Sequence, residues 1–236
     1  LSQRSCHSYG HKRLAVRLGV NKKRVLRVMK LFGIKPYRRR GRKWRKGGNL
    51  SVIYQNLLSV MIPQYPNQVW ATDFTRLGFK GKTIYLATII DILTREVVGF
   101  SVSVTHGVYL VVNAFLSAIQ QKPPPDIAYS DQGSEYKAKI YTNMVESLGT
   151  RISMSRKASP WENGYQESFY SQFKVDLGDP NRFETLGELI AEIYQTIHIY
   201  NTRRIHTALK TSPRNYATMY SLKKLIEDTP SMQKVS

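Results

Sequence analysis

Two aspartates lie at positions where a carboxylate is unfavourable unless it has a function. Asp73 lies inside residues 69–74, whose β-branched and aromatic side chains predict the first strand of a layered sheet. Strands disfavour aspartate, and a buried carboxylate needs a cation or a donor. Asp131 directly follows a short apolar strand predicted over residues 126–130, at the carboxyl end where open α/β sheets bind ligands. The plainer alternatives are a solvated strand end for Asp73 and ordinary turn chemistry for Asp131.

The third acid, Glu167, lies on a predicted helix. The helix begins at Ser159-Pro160-Trp161-Glu162, which has the form of a capping box with proline at the first helical position. An aromatic stripe is expected to pack against the sheet and to aim Glu167 at the sheet's edge; it consists of Trp161, Tyr165, Phe169 and Phe173. The alternative for Glu167 taken alone is an exposed helical acid.

Together the three acids predict phosphoryl-transfer chemistry. Carboxylate oxygens are hard ligands that suit Mg²⁺. Two such ions ~3.5–4 Å apart can activate an attacking oxygen and stabilise the leaving oxygen of an in-line displacement at phosphorus. Asp73, Asp131 and Glu167 are therefore the candidate catalytic residues of this chain.

The charge of the chain points to a polyanionic partner. Its 236 residues carry 36 Lys and Arg against 16 Asp and Glu, a formal net charge of +20. Residues 1–50 contain 17 of the cations and no acid, and such self-repelling charge is typical of nucleic-acid binding. A membrane is the weaker alternative because no apolar run reaches the ~18 residues of a spanning helix. The single cysteine, Cys6, excludes an intrachain disulfide and favours a reducing cytoplasm.

Residues 11–32 predict two short helices joined by a tight turn. Apolar residues recur at helical spacing on both sides of Gly19-Val20-Asn21, where glycine permits the turn and asparagine caps the second helix. We interpret the second helix as the recognition helix of a DNA-binding helix-turn-helix. A helical hairpin with a solvated basic face is the alternative. The candidate DNA contacts in the first turns of this helix are Lys22, Lys23, Arg24 and Arg27.

A basic segment follows over residues 35–48. It combines too little apolar surface to fold with a high positive charge, so we interpret it as a linker. Tyr37 and Trp44 are interleaved with its arginines and could stack on bases, whereas a solvated tether is the alternative. The candidate DNA contacts of the linker are Arg38, Arg39, Arg40, Arg42, Lys43 and Arg45.

From residue 69 onward the chain predicts an α/β fold. Three β-rich runs joined by tight connections predict an antiparallel meander. Helices and two further short strands follow, among them a helix over residues 135–148, and longer helices lie near residues 160–175, 184–200 and 213–226. The order βββαβαβα predicts a mixed five-stranded sheet with helices packed on both faces.

Three segments around the acids also carry a family resemblance. They are Trp70-Ala71-Thr72-Asp73-Phe74-Thr75, Tyr129-Ser130-Asp131-Gln132-Gly133-Ser134-Glu135-Tyr136 and residues 159–169. They resemble the DDE transposases of the retroviral-integrase superfamily, for which the 35 residues between Asp131 and Glu167 are the characteristic spacing. The nearest likeness is to bacterial insertion-sequence transposases whose catalytic part is encoded by a second reading frame. Their C-terminal pattern matches Tyr200-Asn201, Arg204, His206, Leu209 and Pro213.

The resemblance implies a domain organisation and a reaction. It implies a helix-turn-helix segment over residues 1–34, a linker and connecting segment over 35–65, a ribonuclease-H-like catalytic domain over 66–200 and a C-terminal helical extension over 201–236. It implies cleavage at insertion-sequence ends that frees a 3′-hydroxyl, and strand transfer by direct transesterification without a covalent protein–DNA intermediate.

The resemblance also implies a cofactor and partners. Asp73, Asp131 and Glu167 are expected to bind Mg²⁺ or Mn²⁺, two ions when DNA is bound. The expected partners are terminal-repeat and target DNA, further copies of the chain as a dimer or higher oligomer, and the product of the upstream reading frame. The expected location is the bacterial cytoplasm, at the nucleoid. Two alternatives remain, a non-catalytic DNA-binding regulator with a relic integrase fold and a nuclease of the same fold.

Several further residues have more than one interpretation. One cysteine cannot build the His-His-Cys-Cys zinc module of retroviral integrases, so we interpret Cys6 and its histidine neighbours as fortuitous. Asp91 is either a fourth acid near the site or a strand end, and His206 is interpreted as structural. The remaining candidate DNA contacts are Arg156, Lys157 and Lys174, the last of which matches the family's basic residue after the glutamate.

Overall fold

Five strands form one mixed sheet in the computed structural model, which describes residues 9–36, 54–59, 61–155 and 164–228. The first three strands form the predicted antiparallel meander, and the fourth and fifth run parallel to the first. The spatial order is β3-β2-β1-β4-β5. The bounds are β1 Val69–Phe79, β2 Lys82–Asp91, β3 Val97–Ser103, β4 Ile127–Ser130 and β5 Arg151–Met154.

Helices precede the sheet and cover both of its faces. The described ranges contain no helix long and apolar enough to cross a membrane. Two short 3₁₀ helices lie at Leu57–Ser59 and Pro180–Arg182. The α-helices are α1 His11–Leu18, α2 Lys22–Leu31, α3 Val108–Ile119, α4 Ser134–Lys137, α5 Lys139–Ser147, α6 Gly164–Leu177, α7 Leu186–Thr202 and α8 Pro213–Asp228.

The single helix predicted over residues 135–148 was wrong, because the chain forms α4 and α5 with a break between them. Ala138 is extended, with ψ 132°, and caps α5. In one continuous helix Tyr136 and Tyr141 would lie about 140° apart around the axis. The break instead lets both rings enter the same core, where their centroids are 5.5 Å apart.

The sheet separates two apolar cores, as the predicted layer order requires. On one face Trp70 of β1 packs edge-on against Phe115 of α3, within a core that α5 completes. On the other face Leu86 and Ile90 of β2 pack with side chains of α6 and α7, among them Phe173. The prediction of a mixed sheet with helices on both faces is therefore confirmed.

Gly99 sets the distance between β3 and α3. A Cβ atom at this position would lie 2.6 Å from the Ala114 carbonyl oxygen and 2.7 Å from the Ala118 nitrogen, both of which are backbone atoms of the helix. Because backbone cannot move aside as a flexible side chain can, Gly99→Ala is expected to lower the free energy of unfolding by about 3 kcal/mol. Urea denaturation measures this loss. The matched variant Gly78→Ala in β1, where a Cβ meets open space, is expected to change stability by less than about 0.5 kcal/mol, and an equal loss in both would contradict the account.

The first two helices form the predicted helix-turn-helix. Gly19 ends α1 with a φ of 63°, and the Asn21 side chain accepts a hydrogen bond from the Lys23 backbone nitrogen at 2.8 Å, capping α2. Ala15, Val25 and Met29 form the small core between the helices. The turn and the cap are therefore where the sequence predicts them.

The helix-turn-helix packs against α6 and the segment after α7. Tyr9, only 1 % exposed, accepts a hydrogen bond at its hydroxyl from the Ile205 backbone nitrogen at 3.0 Å. Arg13 of α1 donates to the Gln172 side chain of α6 at 3.1 Å. These contacts join residues that are far apart in sequence, so the orientation of α1 depends on α6 and on the segment after α7.

Candidate active site

The two aspartates come from neighbouring strands at the same edge of the sheet. β1 and β4 are parallel, and their register pairs Ala71 with Tyr129. Asp73 and Asp131 each lie two residues further along, so they occupy equivalent positions at the point where β4 has just ended. Asp73 is the fifth of the eleven residues of β1, so it does not end the strand.

Asp131 lies in a partly buried turn. The Gly133 backbone nitrogen donates to Asp131 Oδ1 at 2.9 Å. Burial raises the pKa of Asp131, the charge of Glu135 raises it further, and only the backbone hydrogen bond and the charge of Lys137 act in the opposite direction. The raised pKa of Asp131 and the hard carboxylate oxygens of the two aspartates fit a divalent cation, whose charge would offset the cost of burying Asp131 as an anion.

Glu135 and His106 border the same turn and were missed by the sequence analysis as site residues. Glu135 is 7 % exposed, and its Oε1 lies 2.8 Å from His106 Nε2. A Cβ atom on Gly133 would lie 2.9 Å from Asp131 Oδ1 and 3.2 Å from Glu135 Oε2, so the glycine lets the two carboxylates approach. An acid four residues after Asp131 was the available signal for Glu135, whereas His106 lies in a loop without any motif.

Two buried tyrosines, Tyr136 and Tyr170, lie near Asp73. The Tyr170 hydroxyl donates to the Asp73 backbone carbonyl at 2.6 Å, and the Phe74 backbone nitrogen donates to Asp73 Oδ1 at 2.8 Å. Burial raises the pKa of Tyr136 and of Tyr170 well above the ordinary value, and the charge of Asp73 raises both further. Both phenols therefore remain neutral hydrogen-bonding groups at physiological pH.

Helix α6 is attached to β1 beside Asp73. Gln166 is fully buried, and its side-chain nitrogen donates to the Ala71 carbonyl at 2.6 Å and to the Thr88 carbonyl at 3.2 Å. Its side-chain oxygen accepts from the Thr88 hydroxyl at 3.0 Å. Together with Tyr170, these bonds fix the part of α6 that carries Glu167.

Glu167 itself is exposed and lies at the flank of the buried face of α6. It follows Gln166 by one residue, which is about 100° around the helix. Within the described part of the chain, no three Asp, Glu, His or Cys side chains lie close enough together to hold a metal ion. The structure therefore brings Asp73 and Asp131 together but does not bring Glu167 into a cluster with them.

We expect Gln166→Ala to destabilise the chain by about 3 kcal/mol, because it removes three buried side-chain hydrogen bonds and creates a cavity. Urea denaturation of the whole chain measures this change. Ser171→Ala, on an exposed position of the same helix, is the control and is expected to be neutral. A neutral Gln166→Ala variant would show that these bonds do not hold α6 on the sheet.

The interpretation of one neighbouring aromatic residue changes. Tyr165 is 39 % exposed, and the Arg95 guanidinium carbon lies 4.0 Å from the centroid of its ring. The prediction that Tyr165 packs against the sheet was therefore wrong. Phe169 and Phe173 of the predicted stripe are buried in the core, whereas residues four apart drift by 40° per step, and Gln166 and Tyr170 complete the buried face. The Trp161 member of the stripe lies outside the described residues.

Asp91 has a structural environment. It is 1 % exposed, ends β2 opposite Trp70, and accepts hydrogen bonds from the backbone nitrogens of Thr94, at 2.8 Å, and Asn67. Burial raises its pKa. Because it is three ladder positions from the partner of Asp73, the structure favours the strand-end interpretation.

The candidate DNA contacts fall into three groups. Those of α2 are all exposed on one helix, namely Lys22, Lys23, Arg24 and Arg27. Lys174 is half-buried on α6, seven residues after Glu167. The others lie outside the described residues and stay predictions: Arg38, Arg39, Arg40, Arg42, Lys43, Arg45, Arg156 and Lys157.

Comparisons with known proteins agree with this architecture. Two segments match the integrase core domain family, over residues 63–160 and 148–213. The chain is 38 % identical over 204 residues to the transposase for insertion sequence element IS904 of Lactococcus lactis, covering 83 % of this chain and 80 % of that protein. It is 29 % identical over 210 residues to a putative transposase for insertion sequence element IS150 of Escherichia coli, covering 86 % of this chain and 74 % of that protein.

Solved structures of retroviral proteins share the fold. A chain of the intasome of simian T-cell lymphotropic virus matches this chain with a TM-score of 0.57 and 16 % identity. The match covers 92 % of this chain and 74 % of the intasome chain. The catalytic core of HTLV-2 integrase, solved in complex with magnesium, matches 65 % of this chain and 97 % of its own, with a TM-score of 0.50 and 18 % identity. At these identities the comparison concerns the fold alone.

Proposed function

Since the chain belongs to the insertion-sequence transposases with an integrase core domain, and is a DNA transposase of the DDE type, we propose that Asp73, Asp131 and Glu167 are its catalytic acids. The observation that carries this proposal is the equivalent position of the two aspartates, one within β1 and one directly after β4, beside the buried attachment of α6. Glu167 is one residue from that attachment, on the helix that the buried bonds hold beside Asp73.

The reaction consists of two in-line displacements at phosphorus. In the first, a water oxygen attacks a phosphodiester at the element's end, the bond from phosphorus to the 3′-oxygen breaks, and that oxygen leaves with a proton as the 3′-hydroxyl. In the second, this hydroxyl attacks a target phosphodiester, one bond to phosphorus forms and one breaks, and the target's own 3′-oxygen leaves. The protein forms no covalent bond in either step.

The metal dependence of the fold family fits the donor set of this site. We propose that Asp73 and Asp131 hold Mg²⁺ or Mn²⁺, and that Glu167 completes a two-ion site when DNA is bound. The bound ions would supply Lewis acidity and lower the pKa of the attacking oxygen. The residues themselves supply negative charge at a partly buried edge, and the neutral Tyr170 fixes the backbone of Asp73.

DNA binding is proposed to use the exposed cations of α2 in the major groove and the basic linker on the phosphates. Lys174, on the same helix as Glu167, is proposed to contact DNA beside the acids. The proposed domain boundaries lie at residues 34, 65 and 200, and they separate the helix-turn-helix, the linker, the catalytic domain and the C-terminal extension. Assembly into a dimer or higher oligomer on DNA is part of the proposal, and association with an upstream reading-frame product and a location at the nucleoid stay predictions.

Cleavage of a labelled duplex that carries the element's end tests this function. With Mg²⁺ or Mn²⁺ the whole chain is expected to nick the strand at the end and to leave a 3′-hydroxyl, and EDTA is expected to abolish the product. Binding without nicking would instead favour the non-catalytic regulator. Equal nicking of a scrambled duplex would favour a nuclease of the same fold.

A further inference from the structure

A cavity of about 410 Å³ lies between the helix-turn-helix and the catalytic domain. Arg13 of α1 lines it, and so does Arg95 in the turn between β2 and β3. Phe169 of α6 also lines it, and Arg204 and His206 come from the segment between α7 and α8. Three parts of the chain that are distant in sequence therefore place basic side chains around one space, which α6 also borders.

The described lining of this cavity contains three arginines and no aspartate or glutamate. Arg204, only 2 % exposed, pairs with Asp176 outside the lining. Burial and the charge of Arg204 lower the pKa of Arg13. Burial, followed by the charges of Arg95, Arg13 and Arg204, lowers the pKa of His206 to about 4. Positive charge is thus concentrated where water is partly excluded.

Three buried nitrogens at this cavity have no hydrogen-bond partner among the described residues. They are Arg13 Nε, Arg95 Nε and His206 Nδ1, and the fourth such atom of the described chain, the Tyr141 hydroxyl, lies elsewhere. A buried polar atom without a partner costs about 1–3 kcal/mol. Because both arginine nitrogens are donors, the missing partner must be an acceptor.

We propose that this cavity binds a phosphate group, supplied by the backbone of the DNA to which the chain binds. A phosphate oxyanion offers several acceptor oxygens and negative charge to guanidinium groups, which match its geometry with paired N–H donors. The assignment of the phosphate to DNA rests on the proposed function. The assignment of phosphate as the ligand rests on the cavity alone.

The site is separate from the catalytic acids. Tyr165, Ser168, Phe169 and Gln172 line the cavity, and they lie on the side of α6 away from Glu167. Because Arg13 belongs to α1, a bound phosphate would link the helix-turn-helix to the catalytic domain and offset the repulsion between Arg13 and Arg204. Occupation of this site therefore fixes the DNA-reading helices relative to the catalytic edge of the sheet.

Thermal unfolding of the whole chain in inorganic phosphate, at constant ionic strength set with NaCl, tests the ligand. Because a ligand that binds only the folded state stabilises it, the melting temperature of the wild type is expected to rise with phosphate concentration. Arg95→Gln and Arg13→Gln are each expected to lose this rise. Arg182→Gln is the matched control and should keep it, because Arg182 pairs with Glu192 away from the cavity. An unchanged wild-type melting temperature, or an equal rise in all variants, would overturn the phosphate site.

The salt dependence of DNA affinity tests the source of the phosphate. If a DNA phosphate occupies the cavity, the log–log slope of Arg95→Gln is expected to be smaller than that of the wild type by about one, with Arg182→Gln unchanged. A phosphate-dependent melting temperature with equal slopes would overturn the DNA source and assign the site to free phosphate. The melting experiment uses no DNA and measures no cleavage. It therefore tests the phosphate site even if the proposed transposase activity fails.

Discussion

Glu167→Gln is expected to lower the rate of strand cleavage by at least about 10³-fold, while DNA affinity stays within about twofold of the wild type. The loss corresponds to about 4 kcal/mol of transition-state stabilisation, which is the scale of a metal ligand that acts on developing charge. Asp73→Asn and Asp131→Asn are expected to behave alike. Cleavage rates on a labelled element end, with DNA affinities measured in parallel, give both quantities.

The stability of these variants separates a catalytic role from a structural one. Burial raises the pKa of Asp131, so its neutral amide is expected to leave the free energy of unfolding unchanged or slightly higher. Glu227→Gln, on an exposed residue of α8, is the matched control and should cleave as the wild type does. Wild-type cleavage by Glu167→Gln, or unfolding of either aspartate variant, would contradict the assigned roles.

Replacing four of the exposed cations of α2 with glutamine is expected to have the largest effect on DNA binding of any variant considered. Each phosphate contact contributes about 0.9 to the log–log salt slope, so four lost contacts reduce the slope by about 3 to 4. At 0.1 M salt this corresponds to a loss of affinity of at least about 10³-fold. The variant carries changes at Lys22, Lys23, Arg24 and Arg27, and binding to a labelled end across a salt series measures it.

The fold of this variant should be intact, because all four side chains are exposed while the core of Ala15, Val25 and Met29 and the Asn21 cap are retained. Lys223 and Lys224 of α8 are also exposed, and their joint replacement with glutamine removes two positive charges away from α2 as the control. An equal reduction of slope per charge removed in both variants would show that the effect comes from overall charge. An unchanged slope in the α2 variant would remove this helix from the DNA interface.

The sequence predicts most of the fold because its elements have local causes. The period-two runs predict β1 to β3 within about two residues, and Gly19 and Asn21 mark the turn and cap of the helix-turn-helix. The predicted position of Asp73 within the first strand agrees with its place in β1. In each of these cases the signal lies within a few residues of the feature it specifies.

The rest depends on contacts between residues far apart in sequence. Arg13 and Gln172, which join the helix-turn-helix to α6, are separated by 159 positions, and no local pattern marks either of them. The attachment of Gln166 to β1 and the pairing of Glu135 with His106 are likewise long-range. No local feature of the sequence indicates that His206 lines a cavity. Its place there follows only from the arginines that the fold brings to it.

The most direct test of the central claim is strand transfer from a pre-cleaved element end. The substrate is a duplex with an exposed 3′-hydroxyl, the target is a plasmid that carries a phosphorothioate of one chirality, and the reaction is run in Mg²⁺ and in EDTA. We expect a joined product only in Mg²⁺, free of protein and with the configuration at phosphorus inverted, because one in-line displacement forms the joint. A protein-linked product, retention of configuration or joining in EDTA would contradict it.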